Sequence, residues 1–365
     1  GFPSSDNIHL SPDGYRKRSE TMACEITADL ARATSSGANV ALPTPAGPPS
    51  ELIPIDPPTR IIDTREDPPG YVRAGTELTI DVSNDVPDGA TAVAAYVSAT
   101  DTGGVGFLTA YECSAGRPFA SSANYRQGDT RGAVAIVPIS PAGTFCLYTE
   151  ADANLLVDLQ AAFVPNGSGG LQLDPLDTPD RLVDTRGTGA QEILEIPVPA
   201  GAAAVSVSIT AIAGDSPGYL TAYPCSADVP FIATVNHGVG EVVSGSAFVP
   251  VSPDGTICVL SNVSADVTVD LTGTFADDGE LGFVPVPPTR MLDTRTGIGG
   301  WSPVHGATQT IDARVAPANA AAVSGTITMV SPMRWGFLQA WGCGAHPPTA
   351  NVTSLVGDVL ANSVT

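Results

Sequence analysis

Arg60-Ile61-Ile62-Asp63-Thr64-Arg65 returns as Arg181-Leu182-Val183-Asp184-Thr185-Arg186 and again as Arg290-Met291-Leu292-Asp293-Thr294-Arg295. The pattern is Arg, two apolar residues, then Asp-Thr-Arg. Each copy follows a proline-containing lead: Pro57-Pro58, Pro179 and Pro287-Pro288. Three occurrences mark tandem copies of one module, and a repeat of this kind constrains the fold before any local propensity does.

Other landmarks keep step. Gly106-Phe107-Leu108-Thr109-Ala110-Tyr111-Glu112-Cys113 matches Gly218-Tyr219-Leu220-Thr221-Ala222-Tyr223-Pro224-Cys225, and Gly336-Phe337-Leu338-Gln339-Ala340-Trp341-Gly342-Cys343 is the third version. Cys146 and Cys258 each lie 33 residues beyond the cysteine of their own copy. Val157-Asp158-Leu159 and Val269-Asp270-Leu271 follow at matching distances. The copies are expected over 54–165, 174–276 and 285–365. The third is expected to be truncated, because it lacks a mate for Cys343 and a Val-Asp-Leu run.

Within each copy the hydrophobic period is two. Thr76-Glu77-Leu78-Thr79-Ile80-Asp81-Val82 and Val205-Ser206-Val207-Ser208-Ile209 alternate as half-buried strands do. Turn clusters such as Ser140-Pro141-Ala142-Gly143 and Ser252-Pro253-Asp254-Gly255 punctuate them. Seven or so short strands per copy predict a mainly β chain of tandem antiparallel sandwich or jelly-roll modules. Residues 35–53, rich in Pro, Ala, Ser and Gly, read as a semi-rigid linker. Asn166-Gly167-Ser168-Gly169-Gly170 reads as a joint between the first two copies.

The cysteine spacing predicts two disulfides, Cys113–Cys146 and Cys225–Cys258. Zinc is the rival reading, but no Cys-x-x-Cys or regular histidine companion accompanies them. Disulfides imply an oxidising, extracytoplasmic setting, secreted or at the cell surface. Partners for Cys24 and Cys343 are not readable. Sixteen Lys and Arg against 38 Asp and Glu give a net charge of −22, so a polyanionic nucleic-acid partner is not expected. No apolar run reaches the length of a membrane span. No metal or cofactor is expected; Asp158 and Asp270 resemble cation ligands only weakly. The chain is expected to be monomeric.

Ahead of the copies, Ser11 and Pro12 suit a helix start. Tyr15, Met22, Ile26, Leu30 and Ala33 fall near one face of a helix ending near Thr34. The block Asp6-Asn7-Ile8-His9-Leu10-Ser11-Pro12-Asp13-Gly14-Tyr15 resembles the last block of the SGNH (GDSL-type) hydrolases. The resemblance implies that residues 1–34 are the C-terminal remnant of an α/β hydrolase domain, with His9 as general base and Asp6 as its partner. The family's nucleophilic serine and oxyanion donors are not among these residues. Gly214-Asp215-Ser216 lies after the histidine, in a turn of the second copy, and is not expected to act as a nucleophile. The chain as it stands is therefore expected to be inactive as an esterase.

The copies themselves resemble repeats of secreted and cell-surface proteins of actinobacteria, whose Pro-x-Arg-Leu-Leu-Asp-Thr-Arg openings accompany peptidoglycan or ester hydrolases. What this implies is attachment to a polysaccharide or envelope glycan. A non-catalytic adhesive or spacer array is the alternative. Arg60, Asp63 and Arg65, with Arg181, Asp184, Arg186, Arg290, Asp293 and Arg295, are the candidate ligand residues. The same guanidinium–carboxylate chemistry could instead lock a neighbouring loop. The aromatic positions Phe107, Tyr219 and Phe337, with Tyr111, Tyr223 and Trp341, are expected to face the core rather than a sugar.

Overall fold

The computed structural model describes residues 48–188, 192–299, 320–342, 347 and 349–365. The Asp6–His9 element, the helix expected to end near Thr34 and most of the proline-rich linker lie outside the described residues, as do Cys24 and Cys343.

The first module has eight strands: β1 (Ser50–Asp63), β2 (Glu77–Asp81), β3 (Ala92–Thr100), β4 (Gly106–Tyr111), β5 (Ala123–Tyr125), β6 (Arg131–Pro138), β7 (Thr144–Thr149) and β8 (Asn154–Pro165). They form two four-stranded antiparallel sheets, in the orders β1-β8-β3-β6 and β2-β7-β4-β5. The second module repeats this with β9 (Gln172–Asp184), β10 (Ile193–Pro197), β11 (Ala204–Ile212), β12 (Gly218–Pro224), β13 (Val235–His237), β14 (Val242–Pro250), β15 (Thr256–Ser261) and β16 (Asp266–Ala276). Its sheets run β9-β16-β11-β14 and β10-β15-β12-β13. Eight strands in two such sheets make a jelly roll, which decides between the two β architectures the sequence allowed.

The third module shows four strands among the described residues: β17 (Gly325–Val330), β18 (Gly336–Leu338), β19 (Val352–Ser354) and β20 (Val359–Val364). They pair as β17-β20 and β18-β19, matching β3-β6 and β4-β5 of the first module. Asp101, Ala213 and Ser331, one residue past the ends of β3, β11 and β17, all have φ near +50° (52°, 51° and 46°). A left-handed residue without a glycine, at the same place three times, shows that the module geometry imposes it.

Each complete module has a core between its own sheets. Val93, Val97, Leu108, Phe145, Leu147 and Leu155 fill the first, and Val205, Ile209, Leu220, Val249, Ile257 and Val269 the second. A further cluster belongs to neither alone. Leu52, Tyr96, Phe163 and Leu171 pack there with Phe248 and Phe275, and Phe283 lies against them. The half-buried alternation expected of β11 therefore gives way to burial of both faces: Ser206 and Ser208 are as covered as the valines beside them. The polar face of one module's inner sheet lies against its neighbour. In β3, all nine residues are buried for the same reason.

The end of the stretch read as linker, from Ser50, and the glycine-rich joint take part in this packing. β1 begins at Ser50, and the leads of the three modules pair in a closed ring. Leu52 and Leu171 exchange both backbone hydrogen bonds (2.8 and 2.7 Å), as do Leu173 and Leu281 (2.9 and 3.0 Å) and Phe283 and Ser50 (2.7 and 2.8 Å). Counted back from Pro54, Pro175 and Pro285, each bridge joins equivalent positions, so the ring has approximate threefold symmetry. The glycine-rich joint wraps the Glu51 carboxylate, which accepts from Gly167 N (2.8 Å) and Gly170 N (2.9 Å). These backbone donors hold Glu51 below its ordinary pKa. The strands β6, β14 and β20 also meet one another, around a cavity of about 20 Å³ lined by Arg131, Gly132, Val243, Ser244, Leu360 and Ala361 among others.

Candidate functional site: the Arg-Asp clamps and the exposed rings

In modules one and two every polar residue of the repeated hexamer has a structural partner. Arg60 stands opposite Asp158 in the β1–β8 register and grips it with two hydrogen bonds, Nε to Oδ1 at 2.7 Å and Nη2 to Oδ2 at 3.1 Å. Its Nη1 reaches Asp63 Oδ2 at 3.3 Å. Asp63 in turn accepts from Arg65 N (3.1 Å), Nε (2.8 Å) and Nη2 (2.5 Å). Thr64 closes the end of β8: its Oγ1 accepts from Leu155 N at 2.8 Å, while its own N–H donates to Leu155 O at 3.0 Å.

The second module repeats the clamp. Arg181 grips Asp270 with Nε and Nη2 and meets Asp184 at 3.1 Å. Arg186 holds Asp184, and Thr185 Oγ1 accepts from Val267 N at 2.8 Å. In the third, Arg295 holds Asp293 (Nη2 to Oδ2, 2.7 Å), while among the described residues the carboxylate nearest Arg290 is that of Asp293, at 3.6 Å.

The two carboxylates of a clamp titrate in opposite directions. Burial pushes the Asp158 and Asp270 carboxyls above the ordinary aspartate value, against the opposing pull of Arg60 and Arg181. Asp63, Asp184 and Asp293 go the other way, because the Arg65, Arg186 and Arg295 side chains bond the charged form. Asp184 and Asp293 are lowered to about 2. The clamps thus favour charge on the carboxylate held by the half-exposed arginine and resist it on the carboxylate of the middle strand.

The clamps also sit where modules meet. The Arg60 guanidinium lies over the ring of Phe231, 5.3 Å from its centroid, and Arg290 lies over Phe119 at 5.7 Å. Phe119 and Phe231 occupy the same place in modules one and two, so each of these two modules presents a ring to the arginine of another. Around these contacts Asn236 Nδ2 donates to Tyr96 Oη (3.0 Å) and Phe248 N donates to Gln160 Oε1 (3.0 Å). Arg131 pairs with Glu241, and Arg126 with Asp358.

The nine candidate ligand residues are thus brought together in three sets, each bonded internally rather than turned towards one open pocket. Tyr111 and Tyr223 are buried, but with Phe107 and Tyr219 they lie on the opposite face of β4 and β12 from the core residues Leu108, Ala110, Leu220 and Ala222. Tyr111 packs in a small separate cluster with Phe107, Tyr148, Cys113 and Cys146, so the expectation that these rings face the core is not met. Phe337 is 45% exposed, since its side of module three has less cover. Phe119 and Phe231 went unnoticed in the sequence, although both follow a proline at the same distance from Cys113 and Cys225. They are the most exposed aromatic rings described, at 79% and 76%. Ser216 sits in the turn before β12, and His237, in β13, has its Nδ1 within 3.1 Å of Gly238 O. Among the described residues no group of three or more His, Cys, Asp or Glu is placed to hold a metal, and no helix is long and apolar enough to cross a membrane.

Both expected disulfides are present. Cys113–Cys146 and Cys225–Cys258, with Cα atoms 5.0 and 4.9 Å apart, tie the end of β4 to β7 and of β12 to β15.

No protein-family model matches the chain, and no curated protein does. Among solved structures, the chain can be aligned with the N-terminal CBM22-1–CBM22-2 tandem domain of Xyn10C from Paenibacillus barcinonensis. The alignment has 12% identity and a TM-score of 0.18, and covers 66% of this chain and 98% of that one. At that score the likeness bears on neither the topology nor the ligand of this chain.

Proposed function

We propose that the β modules form a non-catalytic binding body that holds a secreted ester hydrolase of the SGNH type against a polysaccharide or envelope glycan. The observation that supports it most directly is the pair Phe119 and Phe231. Two large rings stand in solvent at equivalent positions, each backed by an arginine on a disulfide-tied scaffold. Exposed rings held this rigidly suit stacking on the apolar faces of sugar rings, with little conformational freedom lost on binding. Equivalent weak sites on one body add through effective concentration. The disulfides suit an extracytoplasmic location.

The hydrolase part of the reading rests on the Asp6–His9 block alone. A positioned His with a carboxylate partner can accept a serine proton, but the serine must come from elsewhere. The spacer alternative calls for an extended row of modules. The closed ring of leads favours a compact display body over it.

The test is retention of the 365-residue chain on insoluble cell walls, chitin and cellulose. At about 0.5–1.5 kcal/mol per stacked ring, replacing both Phe119 and Phe231 by leucine is expected to weaken retention by about tenfold with the melting temperature little changed. Retention on none of the three polymers would remove the glycan reading. The same preparation is expected not to hydrolyse p-nitrophenyl esters, and turnover lost in His9→Ala would overturn the assignment of the missing serine.

A further inference from the structure

The outer sheets of modules one and two are built alike, yet they carry different side chains near the loop that follows β5. Phe107, Gln127, Tyr148 and Glu150 of module one stand where module two has Tyr219, Val239, Leu260 and Asn262. In module two Asn262 Oδ1 is taken up by Tyr219 N, at 2.6 Å. The module fold therefore does not require an amide at Gln127 or a carboxylate at Glu150.

In module one these groups line a groove of about 490 Å³ that module three borders through Gly357 and Val359. That volume lies within the range of small-molecule sites, about 300–1,000 Å³. Its apolar lining is the half-buried ring of Phe107, with Val105 and Val359. Its polar lining has hydrogen-bonding capacity to spare. Glu150 Oε2 accepts from Tyr148 Oη at 2.6 Å, but Oε1 has no partner among the described residues. Asn124 Oδ1 accepts from Ser121 Oγ at 3.0 Å, while its own N–H groups and the Gln127 amide have no partner among the described residues. The backbone beneath is fixed. Gly128 N donates to Thr102 O at 2.8 Å and Arg126 N to Asp129 Oδ2 at 2.9 Å, closing the loop that carries Gln127. Glu150 N donates to Phe107 O at 3.1 Å, which sets the two residues side by side.

We infer that this groove is a binding site for a neutral pyranose unit, its apolar face on the Phe107 ring and its hydroxyls on Glu150, Gln127 and Asn124. An aromatic ring offers an apolar surface that a sugar's C–H face can cover. A carboxylate accepts from neighbouring hydroxyls, and an amide both donates and accepts, which matches groups that do the same. The lining holds one guanidinium, Arg126, and one carboxylate, Glu150, so its charge selects no ion. A uronic acid in this place would set its carboxylate against Glu150. Neither Phe119 nor Phe231 lines the groove, and the site goes beyond the one proposed for those rings.

The probes are the soluble trisaccharides cellotriose and triacetylchitotriose, with trigalacturonic acid as the charged comparison. Each is titrated against the 365-residue protein and followed by saturation-transfer difference NMR. Saturable binding of at least one neutral trisaccharide is expected, and none of the acid. Glu150→Gln is expected to weaken binding by about tenfold and Gln127→Ala by about fivefold. Both side chains are exposed, so far-ultraviolet circular dichroism should not change. The variant with leucine at both Phe119 and Phe231 is expected to bind the trisaccharide as the parent does, which separates this site from retention on insoluble polymers. Saturable binding of neither neutral trisaccharide overturns the inference and leaves the reading of Phe119 and Phe231 standing. Binding unchanged by both groove substitutions, or equally tight for trigalacturonic acid, also overturns it.

Discussion

The Arg60–Asp158 pair shows why the repeated hexamer has the residues it has. A carboxylate on the middle strand of a sheet buried on both faces loses its water, and only a bidentate guanidinium with further hydrogen bonds makes its charge tolerable there. Lysine offers a point charge in place of the fork, so Arg60→Lys is not a conservative change. Asp158→Ala would strand the Arg60 guanidinium beside Phe231. It is expected to cost about 3–5 kcal/mol in urea unfolding. Arg65→Ala, which removes a half-exposed partner, is expected to cost about 1 kcal/mol or less.

Acid titration should separate the two kinds of carboxylate. Asp63, Asp184 and Asp293 have folded values below the unfolded 3.8, so their stabilisation is complete above 3.8 and is lost as pH falls through the folded value, about 2 for Asp184 and Asp293. Asp158 and Asp270 have raised folded values, and ionising them costs stability that is recovered as pH falls through those values. The melting temperature is therefore expected to hold or rise slightly from neutral pH towards 3.8 and to drop between there and about 2. A steady loss starting near neutrality would show that the buried carboxylates are not raised.

At the scale of the element, strand ends are fixed by local chemistry. The Ser-Pro-Ala-Gly and Ser-Pro-Asp-Gly turns before β7 and β15 close with Gly143 and Gly255 at φ 75° and 80°. The residues after β3, β11 and β17 take a left-handed conformation without glycine. Such a residue is strained by roughly 1–2 kcal/mol, part of which glycine returns as unfolded-state entropy. Ala213→Gly is expected to raise stability by about 0.5–1 kcal/mol in urea. Each disulfide links neighbouring strands of the outer sheet across a separation of 33 residues and is expected to contribute about 3–4 kcal/mol in the chain-entropy picture. Replacing Cys225 and Cys258 together by alanine should lower the urea midpoint accordingly while leaving far-ultraviolet circular dichroism unchanged.

At the scale of the molecule, the modules are coupled by the ring of leads and by the aromatic cluster between inner sheets. Phe163 meets the Phe283 ring at 4.5 Å and that of Phe248 at 6.5 Å, so one side chain touches all three modules. Phe163→Ala is expected to cost about 3–5 kcal/mol. The parent protein is expected to show a single calorimetric transition, which Phe163→Ala should split into two. One transition in both proteins would mean that the coupling lies elsewhere.

The repeated hexamer, the equal cysteine spacing and the two-residue period are local records, and from them the sequence alone determined the module, its β class and both disulfides. Their legibility has a physical cause: a strand's alternation and a clamp's residue types depend on contacts inside one module. The tertiary structure alone decided which residues oppose each other, that Asp158 and Asp270 are the partners of Arg60 and Arg181, and that the modules close into a ring. It also decided that serines on the supposed outer face are buried and that Phe119 and Phe231 stand in solvent. Those outcomes depend on the packing of one sheet against a neighbour far away in the chain, and alternation along a strand reports only that two faces differ.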